Sequence, residues 1–334
     1  MAPIRFGIIG CGNWMRMSHI ERLVASPEAE IVGLADPSDE SIATTREAFP
    51  ALQETPAFAD HQEMMAATRP AAVAIATPHT LHMQHAMDAF DAGCHILLEK
   101  PMVTSVGEAR QLIARRDELG LELMVSYQRH YLPAYRYVTE AIARGDIGDI
   151  EYVAGLQSQA WLGGTAGSWR QDQQFSGGGQ LIDSGSHLID IMMYAVNQEV
   201  VGVMAYQTNL SADVNINSAI ALRFGNGAMG TISVIGNGPR NMWEDVSFYG
   251  SEGTILLRTP SIDDFRNTRV THENHATGDV PVELPEGSTP DQNFLDVLNG
   301  TAAMMAPAEA GLRVIQVTEA AMLSAKSGKE ETPG

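Results

Sequence analysis

Ile4 to Gly12 reads IRFGIIGCG, six residues suited to a buried strand followed by glycines at 10 and 12. The run is apolar without strict alternation, as in a strand covered on both faces of a parallel sheet. A helical pattern then runs through His19–Ala25 and stops near Ser26–Pro27. Glycines placed between a strand and a helix carry meaning that isolated glycines lack. They permit a tight turn and let the main chain approach a pyrophosphate, whose charge meets the amino end of the helix. Where a third small residue is usual the chain has Met15, so a reshaped phosphate loop is expected.

Outward from this turn, strand and helix keep alternating. Glu30–Ala35 (EIVGLA) is a second strand, closed by Asp36–Pro37. Ser38 can cap a helix reaching Phe49, and Asp60 another reaching about Ala67. Ala71–Ala76, Cys94–Leu98 and Leu121–Ser126 read as further buried strands. Helices fill His79–Ala92 and Ser105–Leu119, the latter ended by Gly120. Such alternation calls for right-handed crossovers and a doubly wound parallel sheet of the Rossmann type. Asp36 stands 24 residues after Gly12, at the end of the second strand. There a carboxylate can accept both ribose hydroxyls of a dinucleotide and repel a 2′-phosphate, and no arginine follows in Pro37–Ser41. NAD is therefore favoured over NADP, against the plainer reading of an Asp–Pro turn.

The totals set bounds. A chain of 334 residues is long enough for two cores, and 44% hydrophobic with 19% charged residues is ordinary globular composition. The net charge of −20 argues against nucleic acid and anionic membrane as partners. No apolar run approaches the ~18 residues of a membrane span, and the opening segment lacks signal-peptide features. Cys11 and Cys94 read as small buried hydrophobes rather than a disulfide or metal pair, for which a reducing cytoplasm is the simplest home.

The later chain reads differently. Val200–Thr208, Ser218–Phe224, Ala228–Ile235 and Asp245–Tyr249 alternate as half-covered strands, with hairpin residues at Gly225–Gly227 and a turn at Ser251–Gly253. Before them, Leu181–Val196 is expected to be a helix with Asp183 and His187, four apart, on one face. The glycines at 177–179 leave room for a ligand near its start, whereas the plain reading is a local Asp–His hydrogen bond and a surface charge at Asp190.

Thr77–Pro78, His82 and Glu99–Lys100–Pro101 together resemble the glucose–fructose oxidoreductase / inositol dehydrogenase (Gfo/Idh/MocA) family. The resemblance runs on through Tyr127–Arg129, Pro133, GDIGDI at Gly145–Ile150, and Ser176–Gly179. It continues into Asp183-x-Gly185-x-His187-x-x-Asp190 and the helical tail from Pro307 to Ser327. It implies a nucleotide-binding domain over residues 1–126 and an α/β domain with a large, mostly antiparallel open sheet over 127–306. A helix near 307–327 is expected to pack back onto the first domain, and the sheet to form a homodimer or homotetramer interface. The family's turn has its next histidine six residues beyond the second glycine. Here that position is Ser18, and His19 lies one later.

The resemblance also implies a site. Gly10, Gly12, Asn13, Trp14, Asp36, Thr77, Pro78, His82, Glu99 and Lys100 would contact the cofactor. Lys100, Asp183 and His187 would meet at the nicotinamide and oxidise a secondary alcohol of a carbohydrate or cyclitol. His187 is then the general base, Lys100 the donor that steadies alkoxide charge, and Asp183 the orienting group. Lys100 is the rival base. Glu99 would pair with Lys100 or face the cofactor amide, and a cis Lys100–Pro101 bond is expected. Arg129, Trp161, Trp169, Arg170 and Asp172 are candidates for binding the sugar, tryptophan packing being the plain alternative. Trp161–Gln174 lacks a regular period and reads as a loop. His79, His82 and His85 progress round a helix, so no metal is assigned to them; His82 is read as a pocket residue, the others as surface. Two rival functions stand beside the dehydrogenase: an NAD-retaining glycoside hydrolase or epimerase, and an inactive nucleotide sensor.

Overall fold

The computed structural model describes residues 2–239, 243–261, 265 and 267–334. Two compact units are present. The first comprises Met1–Val103, Gly107–Ser126 and Thr289–Gly311; the second comprises Thr104–Val106, Tyr127–Ser288 and Leu312–Gly334.

In the first unit, β1 (Ile4–Ile9), β2 (Ala29–Ala35), β3 (Ala57–Phe58), β4 (Ala72–Ile75), β5 (His95–Leu98) and β6 (Leu123–Val125) form one sheet. Every pairing is parallel and the order is β3-β2-β1-β4-β5-β6. Phe6, Ile8, Val73, Ile75, Ile96 and Leu98 are wholly buried, as a sheet covered on both faces requires. The order reverses between β1 and β4, the place where open α/β sheets gather ligands at the carboxyl ends of their strands. The expected caps are present: Ser38 accepts the Ser41 N–H, and Asp60 those of Gln62 and Glu63.

Two features depart from the sequence reading. The two-residue β3 was not anticipated, being too short for any period. The helix after the glycine turn starts at Asn13 and has an irregular centre: Asn13–Met15 is α, Arg16–Ile20 is a π turn, and Glu21–Ala25 is α again. Met15 is wholly buried within it. The helix Pro290–Leu298 also belongs to this unit, its Phe294 ring 6.2 Å from that of Phe6.

The second unit is built on β7 (Ile150–Ser158), β8 (Val200–Thr208), β9 (Asn217–Phe224), β10 (Met229–Ile235), β11 (Trp243–Gly250), β12 (Gly253–Thr259), β13 (Arg269–Asn274) and β14 (Gly278–Asp279). Their order is β14-β13-β12-β11-β7-β10-β9-β8, antiparallel except where β7 meets β10. One face is covered by helices. A Cβ at Gly155 of β7 would strike the Met192 side chain, so glycine lets the helix Gly185–Val196 approach the strand. The other face is open and carries Tyr152, Tyr249 and Met229, Tyr249 being 41% and Met229 56% exposed.

The tail departs from expectation. Helix Ala308–Ser327 is shared, with Ala308–Gly311 in the first unit and Leu312 onward in the second. Ile315 packs with Val106 and Ile182, and the Ser324 hydroxyl accepts the Ala205 N–H, which fixes most of the helix in the second unit.

Candidate functional site

In the first unit the turn after β1 lies against the end of β4. Gly10 has φ +85°, and a Cβ there would sit 2.8 Å from both Ala76 O and Thr77 Cγ2. A Cβ at Gly12 would meet nothing within 4 Å, so the turn is closely packed on one side and open on the other. Asn13, Trp14 and Met15 begin the helix just beyond, where backbone N–H groups have no acceptor within the helix. Open space beside such donors fits a pyrophosphate.

Asp36 ends β2 as expected and is already part of the turn. Its Oδ2 accepts the Cys11 N–H at 2.7 Å and its Oδ1 the Ser38 N–H at 2.9 Å. A carboxylate has about four acceptor sites, so each oxygen retains one for a ribose hydroxyl. Arg16, which the sequence did not single out, donates to Cys11 O at 2.6 Å and brings a cation to the turn. Burial, then Asp36, push the Cys11 thiol up to about 12, which leaves it unreactive.

Beyond β4 the histidines are not where the spacing suggested. His82 is wholly buried, with Nδ1 2.8 Å from Pro101 O and Nε2 2.9 Å from Thr77 O. It ties the two strand-end loops together, and burial lowers its pKa. His79 is buried, not on the surface. His85 is half-buried, bonded to Thr77 Oγ1 at 2.9 Å and set edge-on to His61, and burial followed by the charge of His61 pushes its pKa down to about 4. Among the described residues no group of three or more His, Cys, Asp or Glu is arranged to hold a metal ion.

At the end of β5, Lys100 is half-buried and the Lys100–Pro101 bond is cis. Glu99 is buried, and its Oε2 accepts the Lys100 backbone N–H at 3.1 Å while its Oε1 meets His19 Nε2 at 3.0 Å. Both oxygens thus have partners inside the protein, and the bond to Lys100 is to its backbone N–H. Burial opposes ionisation, but His19, Lys100 and Trp14 hold the Glu99 carboxyl below its usual range.

In the second unit the helix begins at Gly185, so Asp183 lies in the preceding turn and not on the helical face with His187. The Gln180 and Ser184 carbonyls accept the Gly185 and His187 N–H groups, and this turn holds the two residues in sequence. Asp183 Oδ2 accepts Trp161 Nε1 at 2.9 Å and Arg170 Nε at 3.1 Å. Arg170 also lies over the Trp169 ring at 4.5 Å. Trp161 itself is buried against Val214 and Ile216. His187 is 8% exposed, edge-on to Tyr127, and its Nδ1 is buried with no hydrogen-bond partner among the described residues. A polar atom in that state is costly unless something bonds it, which fits a place where a ligand or water completes the set.

Beneath this turn lies a polar network that the sequence did not disclose. Gln157 of β7 donates to Ser184 O at 3.2 Å and to Glu244 Oε2 at 2.9 Å, and Gln159 donates to the Ser184 hydroxyl. Arg129, expected to meet substrate, is 1% exposed and ion-paired with Glu244 at 2.5 Å under the Tyr135 and Phe265 rings. It is a buried cation whose Nε and Nη1 have no hydrogen-bond partner among the described residues. Asp190, expected as a surface charge, is buried on His130 at 2.8 Å, whose ring stacks 3.8 Å from Tyr194. Asp172 caps the helix Gln173–Ser176. The expected loop Trp161–Gln174 contains short helical turns at Trp161–Gly164 and Trp169–Gln171.

Comparison with known proteins gives consistent results for both units. A family model described as "Oxidoreductase family, NAD-binding Rossmann fold" matches residues 4–127, and one described as "GFO/IDH/MocA C-terminal domain" matches residues 135–256. A D-glucoside 3-dehydrogenase of Escherichia coli (strain K12) is 26% identical over 195 residues, 58% of this chain and 54% of that protein. The match thus spans about half the length of that relative. A scyllo-inositol 2-dehydrogenase (NADP(+)) of Bacillus subtilis (strain 168) is 28% identical over 287 residues, 76% of each chain. The crystal structure of the WlbA dehydrogenase from Bordetella pertussis, in complex with NADH and UDP-GlcNAcA, superposes with a TM-score of 0.84. It is 25% identical, and the match covers 99% of this chain and 98% of that one.

Proposed function

The chain belongs to the Gfo/Idh/MocA family of oxidoreductases, and from that premise we propose that it is an NAD-dependent dehydrogenase acting on a secondary alcohol of a sugar or cyclitol. The observation that carries the reading is the turn at the strand-order reversal: closed at Gly10, open at Gly12, and flanked by a carboxylate at Asp36 that keeps acceptor sites for ribose hydroxyls. The relatives support the substrate class, and they include enzymes named for NADP as well as a structure holding NADH. Asp36 favours NAD, since a fixed carboxylate repels a 2′-phosphate.

Gly10–Trp14, Asp36 and Thr77–Pro78 would hold the dinucleotide, which when bound supplies a hydride acceptor. The protein's own residues then manage one proton and one developing charge. His187 takes the hydroxyl proton as general base. Lys100 donates a hydrogen bond that steadies alkoxide charge as it develops on the substrate. Asp183, held by Trp161 and Arg170, orients a neighbouring hydroxyl, and Arg170 stacked on Trp169 offers the sugar a polar edge beside an aromatic face. We extend the proposal to a homodimer or homotetramer formed through the open sheet face. Both cysteines are buried free thiols, which supports a reducing compartment such as the cytoplasm.

The test is a panel of sugars and cyclitols with NAD and with NADP, read by absorbance of the reduced cofactor. At least one neutral carbohydrate should reduce NAD, and Lys100→Met should lower kcat by about 10²–10⁴-fold while leaving the Kd for NAD within a few-fold. Sugar release by purified protein without added NAD would replace this reading with a redox-neutral one.

A further inference from the structure

The first helix of the nucleotide-type unit contains one π turn, Arg16–Ile20, with α-helical residues on both sides. A π turn closes over one residue more than an α turn, so side chains beyond it are rotated by roughly 100° from where an unbroken α-helix would put them. His19 lies inside this turn and is 1% exposed. Its Nε2 is 3.0 Å from Glu99 Oε1 and its Nδ1 is 2.7 Å from Asp291 Oδ1. An ionised carboxylate only accepts, so both ring nitrogens need protons if both bonds are to form. The outer oxygens are also placed. Asp291 Oδ2 accepts Arg22 at 2.8 Å, and Glu99 Oε2 accepts the Lys100 backbone N–H. A buried carboxylate stays ionised only beside compensating charge and donors, and His19 is a cation within hydrogen-bond distance of Glu99.

We propose that His19 is a positioning residue: carried on the π turn as a buried imidazolium, it holds Glu99 ionised, and Glu99 in turn fixes the backbone of Lys100 at the end of β5. The inference rests on Lys100 serving the reaction described above. The charged groups around the ring are Glu99 from the end of β5, Asp291 from the helix Pro290–Leu298, Arg22 on its own helix through Asp291, and Lys100 beside Glu99. Burial opposes the imidazolium, but the two carboxylates outweigh it and push the His19 pKa up to about 10. This folded value lies above the unfolded one of about 6.5, so the stability it contributes is complete below that pH and is lost as pH rises towards 10.

The test uses the full chain and His19→Gln, which keeps a donor and loses the charge. In nitrogen-15 NMR of the protein without nucleotide at pH 8.5, one histidine should have both ring nitrogens protonated, and its signals should be missing from His19→Gln. A neutral His19 at that pH overturns the proposal, even if the variant does not fold. Where it folds, the stability gap between wild type and variant should narrow as pH rises from about 6.5 towards 10, and narrow again towards pH 5.5 as Glu99 takes up a proton in the variant. In the variant the Glu99 carboxyl protonates closer to neutrality, so kcat should fall at least about tenfold more than in wild type between pH 7.5 and 5.5, with the Kd for NAD changed less than about threefold. A residue with only a structural role would lower stability without moving that acid limb, and an unmoved limb sinks the positioning role. If no sugar is oxidised by the wild type, the dehydrogenase reading fails while the NMR and stability measurements still judge His19.

Discussion

Asp36 shows how one side chain can serve the fold and a ligand together. Its carboxylate accepts the N–H of Cys11, a residue wholly buried in the glycine turn, and that of Ser38. Asp36→Ala would leave the Cys11 N–H without its acceptor, which costs about 1–3 kcal/mol, and the thermal midpoint should fall by several degrees. The same change removes the group proposed to read the ribose and to repel a 2′-phosphate. NAD should bind about 10–100-fold more weakly while NADP loses less, so the NAD:NADP affinity ratio falls, as isothermal titration with each nucleotide would measure. A ratio unchanged by the substitution would remove Asp36 from nucleotide selection. Other charged residues were harder to read. Arg129 and Asp190 are types that normally stay in water, and their burial depends on partners 115 and 60 residues away, Glu244 and His130. His19 meets Asp291 across 272 residues. Nothing in a local pattern announces such pairs, whereas Asp36 was legible because strand end, glycine turn and acidic residue follow one another along the chain.

Elements were legible in proportion to their regularity. The strands of the first unit were placed to within two residues at nearly every end, since short apolar runs between turn residues are what a doubly covered parallel sheet demands. In the second unit β7, β12, β13 and β14 were not placed; of these β13 and β14 lie at the sheet edge with weak alternation. The π turn was visible only as a displacement, a histidine one residue later than the related family has it. A single wide turn does not disturb hydrophobic periodicity enough to be read. That displacement has a consequence for engineering. Met17 lies in the π turn and is 61% exposed. Its deletion should convert the π turn to an α turn, leave the helix on either side in register, and keep the histidine on Glu99. Stability should then stay within about 1 kcal/mol of wild type. Deletion of Val24, in the α-helical stretch Glu21–Ala25, has no surplus residue to remove and should destabilise by more than about 2 kcal/mol through rotation of the last turn. Urea unfolding of both variants decides the matter: equal losses would mean that the extra residue of the π turn is structurally required in its own right.

At the scale of the whole chain, two cores could be anticipated from length and from the change of pattern after residue 126, but their membership could not. Thr289–Gly311 returns to the first unit although it follows the last strand of the second, and no shift of composition marks the return. The open sheet face is the feature of largest scale with a functional reading still to test. Register places Tyr249 opposite Tyr152, Ser247 opposite Ala154 and Tyr152 opposite Met229, so these side chains share the side that no helix among the described residues covers. Tyr152 and Tyr249 meet edge-on at 6.3 Å, and the Tyr152 hydroxyl donates to Thr231 Oγ1. Aromatic and methionine side chains clustered on a flat, half-exposed surface are the composition of an interface core. In a two-fold interface each residue lies near its own symmetry mate, so one introduced charge acts against a second copy of itself. Tyr249→Glu should therefore weaken self-association by about 100-fold or more and shift sedimentation velocity towards the monomer, while far-ultraviolet circular dichroism stays unchanged. A wild-type chain that sediments as a monomer at tens of micromolar would remove the sheet face from assembly, and the exposed aromatics would then need another partner.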